Sequence, residues 1–511
     1  MPTAIESTGS GNWATGSIWS GGVSRAGDSH DVTIKDGNNV TISQDERVHS
    51  ITIENNATLT ITGTRTLVIV GKDGSSYSLR AISGSTISGT LNVKVEGNGG
   101  YIREQGTGSI NDLEVDLGSS SEVHYLDLAL SLAGNLTITE GIFNTNASSN
   151  HALTVTGATT IGPNSGAADQ ATLTCNASTV SLGASETSSY ALRITQGGTF
   201  TGGSGTHTIG SLEVVNNAAA KCTLTSGVTT ISSERTSANE AIKIAGSSAG
   251  FDDGNGTVKF TTPASTTLQL NTKPLYNVII DHASCVLKWI DNVTIAKDLN
   301  IYQGTFEADD GDETLTVSED VTVGDGTGSA NTAVLGHADD TAAMTFGSLT
   351  IASDGKYIAT SGTTTITDIE SGASRSVLNS GTLTHNSGTF LFNGAMDQKV
   401  STNSTGRFNN ITLNKSNNDF VFIDSSTTVE GNLDITMGDN TRQCRPSSTS
   451  GTITVLGNVI VREGIMLRAA NDCSGNMEFG GLILESGGIY GTTSGTTKIN
   501  GVLRNIGGTI N

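Results

Sequence analysis

Short runs of the form apolar-x-apolar recur along the whole chain, among them Val40-Thr41-Ile42, Ile51-Thr52-Ile53, Leu59-Thr60-Ile61, Leu136-Thr137-Ile138 and Leu153-Thr154-Val155. Strict alternation puts the aliphatic side chains on one face of a strand and the intervening Thr on the other. Gly, Asn or Asp follows most of these runs and supplies the left-handed backbone that a tight corner needs. Helical periodicity is nearly absent, so the pattern predicts many short strands with one buried face each.

A longer period lies above the strands. Gly256-Thr257-Val258-Lys259-Phe260 returns as Gly388-Thr389-Phe390-Leu391-Phe392, and Tyr276-Asn277-Val278-Ile279 as Phe408-Asn409-Asn410-Ile411, each 132 positions later. Met344, Phe346, Leu349, Ser361-Gly362-Thr363-Thr364 and Ile366 match Met477, Phe479, Leu482, Ser494-Gly495-Thr496-Thr497 and Ile499 at a shift of 133. A fainter copy contains Leu212 and Ser226-Gly227-Val228-Thr229-Thr230-Ile231. A steady shift over a whole block points to duplication of a module several turns long, stacked so that each turn buries its apolar face on its neighbours. The expected fold is all-β, a right-handed parallel β-helix (β-solenoid) built from duplicated multi-rung modules. Its expected segments are an N-terminal cap with the first rungs (1–62), a solenoid with a divergent block (63–255), and two repeat blocks (256–387 and 388–511). Stacked Asn and Thr ladders are expected at the corners.

Composition sharpens this picture. The 511 residues include 64 Gly but 5 Pro, and 15% are charged, which with the recurrent β-branched bursts separates the chain from disordered sequences. The net charge is −22, and no Lys or Arg lies between Lys297 and Lys356 while twelve acidic residues do. Such a surface repels phosphate backbones and anionic lipid, so nucleic acid is not an expected partner. The strongest apolar run, Leu67-Val68-Ile69-Val70, is too short to span a bilayer, and no membrane insertion is expected. The first residues carry no secretory pattern, which makes lysis, particle assembly or a signal-less exporter the expected route to the outside. Cys175, Cys222, Cys285, Cys444 and Cys473 are never closely paired and sit in or beside strand patterns; buried free thiols are expected rather than disulfides or a zinc site.

The N-terminus differs from the rest. Trp13, Trp19-Ser20-Gly21-Gly22, Gly27-Asp28, Val32-Thr33-Ile34, Val40-Thr41-Ile42 and Ile51-Thr52-Ile53 resemble the opening of β-solenoid structural proteins of marine bacteriophages (tail fibres, spikes and related virion appendages), an opening also seen in large bacterial surface adhesins. The resemblance covers about the first 60 residues. Ser24-Arg25-Ala26 stands where a proline is common in that opening. The two tryptophans are expected to pack over the first rung rather than to stack on a ligand.

Parallel β-helices also carry polysaccharide lyases and hydrolases, whose sites need convergent carboxylates. The acidic clusters Asp252-Asp253 and Asp309-Asp310-Gly311-Asp312-Glu313 lack Arg or Lys flanks, and both are expected to be exposed acidic turns. The second could hold Ca²⁺, although neither the Asp-x-Asp-x-Asp-Gly arrangement nor the Gly-Gly-x-Gly-x-Asp repeat is present, and the question stays open from the residues. Gly246-Ser247-Ser248-Ala249-Gly250 matches a nucleophile elbow formally, but that motif needs a following helix. Gly324-Asp325-Gly326-Thr327-Gly328 would be a phosphate loop only under the same condition. The eight His residues show no paired ligand spacing and most are expected at the surface or at corners. No catalytic, cofactor or metal residue is therefore assigned, and no enzyme is expected.

The resemblance implies a virion structural protein of a tailed phage, a fibre, spike or particle-surface appendage displaying a host-contacting rod. It also implies self-association, commonly as a trimer, contacts with other virion proteins, a host-surface glycan or protein as partner, and a virion or extracellular location. The alternatives are a bacterial surface adhesin or envelope-coat protein, and a spike-borne polysaccharide depolymerase. The C-terminal edge, Gly507-Gly508-Thr509-Ile510-Asn511, is expected to be an assembly contact.

Overall fold

The computed structural model describes residues 2–97, 99–167, 169–183, 189–371, 375–403, 405–415, 419–423, 427–438, 442–446, 452–466, 475–491 and 495–510. Two compact units divide the chain, one of Met1–Val258 with Gln269–Lys273, the other of Lys259–Leu268 with Pro274–Asn511. Each is a parallel β-solenoid. Among the described residues helix is confined to two short 3-10 turns, Gly16–Ile18 and Ser20–Gly22.

In the first unit each turn lays down three strands on three faces, and every face is a parallel ladder from turn to turn. One face stacks Ile5, Val32, Ile51, Leu79, Ile102 and Leu126 in register. A parallel column on it runs His124, Phe143, Leu173, Phe200, Cys222 and Phe251. The second stacks Leu132, Val155, Leu182, Ile209 and Ile231. The third stacks Ile69, Val95, Val115, Ile138, Ile161, Ile194, Val214 and Ile244. Nearly all these side chains have no more than 1% of their surface exposed. Each aliphatic one contributes about 1.5–3 kcal/mol by leaving water. Parallel strands need a crossover, and here the other two faces of the turn provide it.

The second unit follows the same plan. One face stacks Val278, Leu299, Val321, Leu349, Val377, Val400 and Phe422. A second stacks Phe346, Ile366, Phe392, Leu413, Ile435, Val461 and Leu484. The third carries Phe408, Val429, Val455, Phe479 and Ile499. Phe346 and Phe479, equivalent in the 133-residue repeat, thus stand on different faces. Leu349 and Leu482 do as well, because Leu482 pairs with Val459 on the face that holds Phe346. The duplicated block does not close on a whole number of turns, so its copy is rotated by one face.

Corner chemistry explains why Asn or Asp so often stands just before an apolar strand start. The Asn410 Oδ1 accepts the Asn432 amide at 2.9 Å, and the Asn432 Oδ1 accepts the Asn458 amide at 2.8 Å. In the first unit the Asp112 Oδ1 accepts the Asn135 amide at 2.7 Å, and the Asn135 Oδ1 accepts the Ala158 amide at 2.8 Å. Beside Asn-to-Asn side-chain bonds such as Asn176 Nδ2 to Asn144 Oδ1 at 2.9 Å and Asn111 Nδ2 to Asn92 Oδ1 at 3.0 Å, these ladders run from side chain to the next turn's backbone. They satisfy N–H groups that the corner takes out of the strand ladder.

The described cysteines, Cys175, Cys222, Cys285 and Cys444, are free and buried; Cys473 lies outside the described residues. Burial raises the Cys175, Cys222 and Cys444 thiols well above their usual range, which keeps them inert.

Candidate functional site

The tryptophans of the opening are packing residues. Trp13 and Trp19 are 0% and 3% exposed, with ring centroids 5.1 Å apart at 70°. The Trp19 Nε1 donates to the Trp13 carbonyl at 2.9 Å, and the Trp13 backbone amide donates to Thr41 at 2.8 Å. Arg25, in the stretch that departs from the resemblance, donates through Nε to the buried Glu46 carboxylate at 2.9 Å. The opening is therefore a clamp that fastens residues 13–26 to the first turns.

The other sequence candidates separate in space. Asp252 and Asp253 accept the amides of Gly254 and Asn255, each closing an Asx turn, and Asp253 is buried rather than exposed. In the cluster at 309–313, Lys288 lies 3.2 Å from Asp309, the Thr341 hydroxyl donates to Asp312 at 3.0 Å, and burial beside Asp310 raises the Glu313 carboxyl. Among the described residues no group of three His, Cys, Asp or Glu side chains is placed to hold a metal ion. Gly246–Gly250 is a turn between two strands, Glu240–Ile244 and Gly250–Asp252, and no helix follows it.

The loop 324–328 has an internal anion. Gly326 and Gly328 donate their amides to the two oxygens of the buried Asp354 carboxylate, at 2.8 and 3.1 Å. The donors that a phosphate would use are already spent on a side chain of the same unit. Six of the eight His residues are partly or fully exposed, but His124 and His207 are buried, and burial lowers them to about 3 and about 4.

Two constellations escaped the sequence reading. The first lines a polar cavity of about 240 Å³ with Thr160, Ser189, Tyr190, Arg193, Glu213 and Arg235. The Tyr190 hydroxyl donates to Glu240, the Arg235 guanidinium lies 5.1 Å above the Tyr190 ring, and Lys243 bridges Glu240 at 2.7 Å. Burial pushes the Glu240 carboxyl up, but the bonds from Lys243 and Tyr190 outweigh it and leave the group below its usual range. Arg193 is paired with Glu213 at 2.6 Å. Each charge here is spent on a neighbour, so the cluster braces the turn 235–240 rather than holding reactive groups free. Its members come from segments about 50 positions apart, and no local pattern marks them.

The second is a half-exposed face. Tyr77, Tyr101 and Tyr125 stand in register on three successive turns, with centroids 5.9 and 5.5 Å apart. Beside them Arg80 pairs in register with Arg103. The Arg80 guanidinium lies 5.1 Å over the Tyr77 ring, and the Tyr77 hydroxyl donates to Asp127 at 2.9 Å. Arg103 lies 3.4 Å from the same carboxylate. Burial raises the neighbouring Glu104 carboxyl. This arrangement had a signal in the sequence, since the three tyrosines recur at a constant interval of 24 positions. It offers hydroxyls, aromatic edges and cations in rows along the stacking direction, which suits recognition of an extended ligand better than bond chemistry.

No family model, no curated protein and no solved structure matches this chain.

Proposed function

We propose that this protein is a non-enzymatic structural component of a tailed-phage particle, a fibre, spike or surface appendage whose solenoid carries a host-contacting face. The observation that supports this most is the folded opening: the two tryptophans of the fibre-like motif pack on each other and are buried against the first turns. A solenoid suits that role because its backbone hydrogen bonds run from turn to turn, so stability accumulates along the stack. The Tyr77–Tyr101–Tyr125 face supplies a surface on which a host ligand could be held.

Immunogold electron microscopy of the source culture, with antibody raised against this chain, tests the proposal. Gold on particle heads or tails is the expected result and also places the appendage. Gold on cell envelopes in particle-free fields overturns it in favour of a bacterial adhesin. Loss of viscosity when the purified chain is added to a capsule or alginate solution would instead establish a depolymerase.

A further inference from the structure

We propose that the face bearing Tyr77, Tyr101, Tyr125, Arg80 and Arg103 binds an acidic glycan, with the sugar chain lying along the stack of turns. The inference deepens the host-contact role and rests on it.

Partners in register repeat at the inter-strand spacing, about 4.8 Å, close to the advance of one pyranose along an extended chain. A ladder of identical side chains can therefore meet successive sugars in the same way. Among the described residues the hydroxyls of Tyr101 and Tyr125 have no hydrogen-bond partner, so two phenols on neighbouring turns are open to a polar ligand. The rings already stack on one another, and Arg80 covers the Tyr77 ring. That order lowers the entropy lost on binding, because the side chains are held in place beforehand. Tyrosine also brings contact area at low conformational cost.

Charge selects the ligand. The chain has 49 acidic against 27 basic residues, yet Arg80 has no carboxylate partner among the described residues. Arg103 shares the single Asp127 carboxylate with the Tyr77 hydroxyl. A cation left unpaired in an acidic protein is complementary to a uronate or sulfate group, and guanidinium takes such groups with two parallel hydrogen bonds. The net charge of −22 disfavours a dense polyanion such as nucleic acid, whereas a glycan spaces its charges farther apart.

Native affinity electrophoresis of the full chain tests the inference, using gels containing polyuronate (alginate), gels containing a neutral β-glucan, and a mobility shift with single-stranded DNA. Retardation by polyuronate that exceeds the other two is expected. Arg80→Gln should weaken it about tenfold, roughly 1.4 kcal/mol, and Tyr101→Ser at least as much, with far-UV circular dichroism unchanged in both. Unchanged mobility in polyuronate overturns the inference, as does equal or stronger retention by β-glucan or DNA, or full retention by the Arg80→Gln chain. The assay uses purified protein, so failure here alongside gold on particles removes only the glycan ligand. Gold on envelopes would remove the virion role and leave the binding result standing.

Discussion

Lys415 is the residue whose replacement tests the energetics of the second unit most directly. It ends the strand Asn410–Lys415 and is 2% exposed. Its Nζ donates to the Gly394 carbonyl at 2.8 Å, the Met396 carbonyl at 2.9 Å and the Gln398 Oε1 at 2.9 Å. Gln398 is itself buried, and its Nε2 donates to Ile366 at 3.0 Å. Three neutral oxygens hold the ammonium, and among the described residues no carboxylate touches it. Burial therefore lowers its pKa to about 8 from 10.5, against the weaker pull of Asp397 and Asp419.

The unfolded chain keeps this proton up to about pH 10.5, while the folded chain releases it near pH 8. Between those values the unfolded state binds more protons, so stability rises with pH by about 3 kcal/mol. Lys415→Met removes the charge and its cost, but leaves two backbone carbonyls without this donor, at about 1–3 kcal/mol each. At pH 7 the two effects nearly offset, and the variant should be less stable by about 0–3 kcal/mol. At pH 10 the wild type no longer carries most of the charge cost, so the gap should widen by about 2–3 kcal/mol. Urea unfolding at both pH values, followed by Trp289 emission in a Trp13→Phe, Trp19→Phe background, reads the second unit. Other titrations cancel in the difference between the two chains. A gap that is the same at pH 7 and pH 10 would refute the reasoning.

His124 and His207 act in the same direction on the first unit, in a lower pH window. Their folded values lie below the unfolded 6.5, so stability should fall as pH drops from about 6.5 towards 4, by about 3 kcal/mol for His207. A His207→Leu chain should lose less melting temperature between pH 7 and pH 4.5, and an equal loss counts against burial as the cause. Gly203 has φ +71°, and a methyl group there would press into the Asn176 carbonyl, so Gly203→Ala should cost about 3 kcal/mol or more. Gly21, at φ +78° with open space around it, should tolerate Ala at about 1 kcal/mol; urea midpoints that match for the two variants would contradict this. Asn432→Ala should cost about 1 kcal/mol by removing the acceptor for the Asn458 amide. Asn432→Asp keeps that acceptor and should restore most of the loss in the same urea assay.

The strands were legible because alternation is local. Val, Ile and Leu at every second position turn inward whatever their partners are, and Asn or Asp before them caps the corner. The same economy hid Asp354 inside the loop 324–328 and hid the bracing of Tyr190 by Arg235 and Glu240, since those contacts join distant turns. The tyrosine face lay between the two cases. Its interval was regular, but regular spacing becomes a ladder only if the turns between are equal in length.

By itself, then, the sequence determined that the chain folds as stacked parallel turns with a largely apolar interior, because inward and outward positions are set strand by strand. Which residues become neighbours was left to the tertiary structure. Successive turns of one column vary from 20 residues, Val95 to Val115, to 33, Ile161 to Ile194, as corner loops lengthen without disturbing the ladder. Loop length is cheap in free energy, so it drifts. A repeat of 133 residues accordingly carries Phe346 to the position of Phe479 on a different face, and only the count of turns between them could decide that.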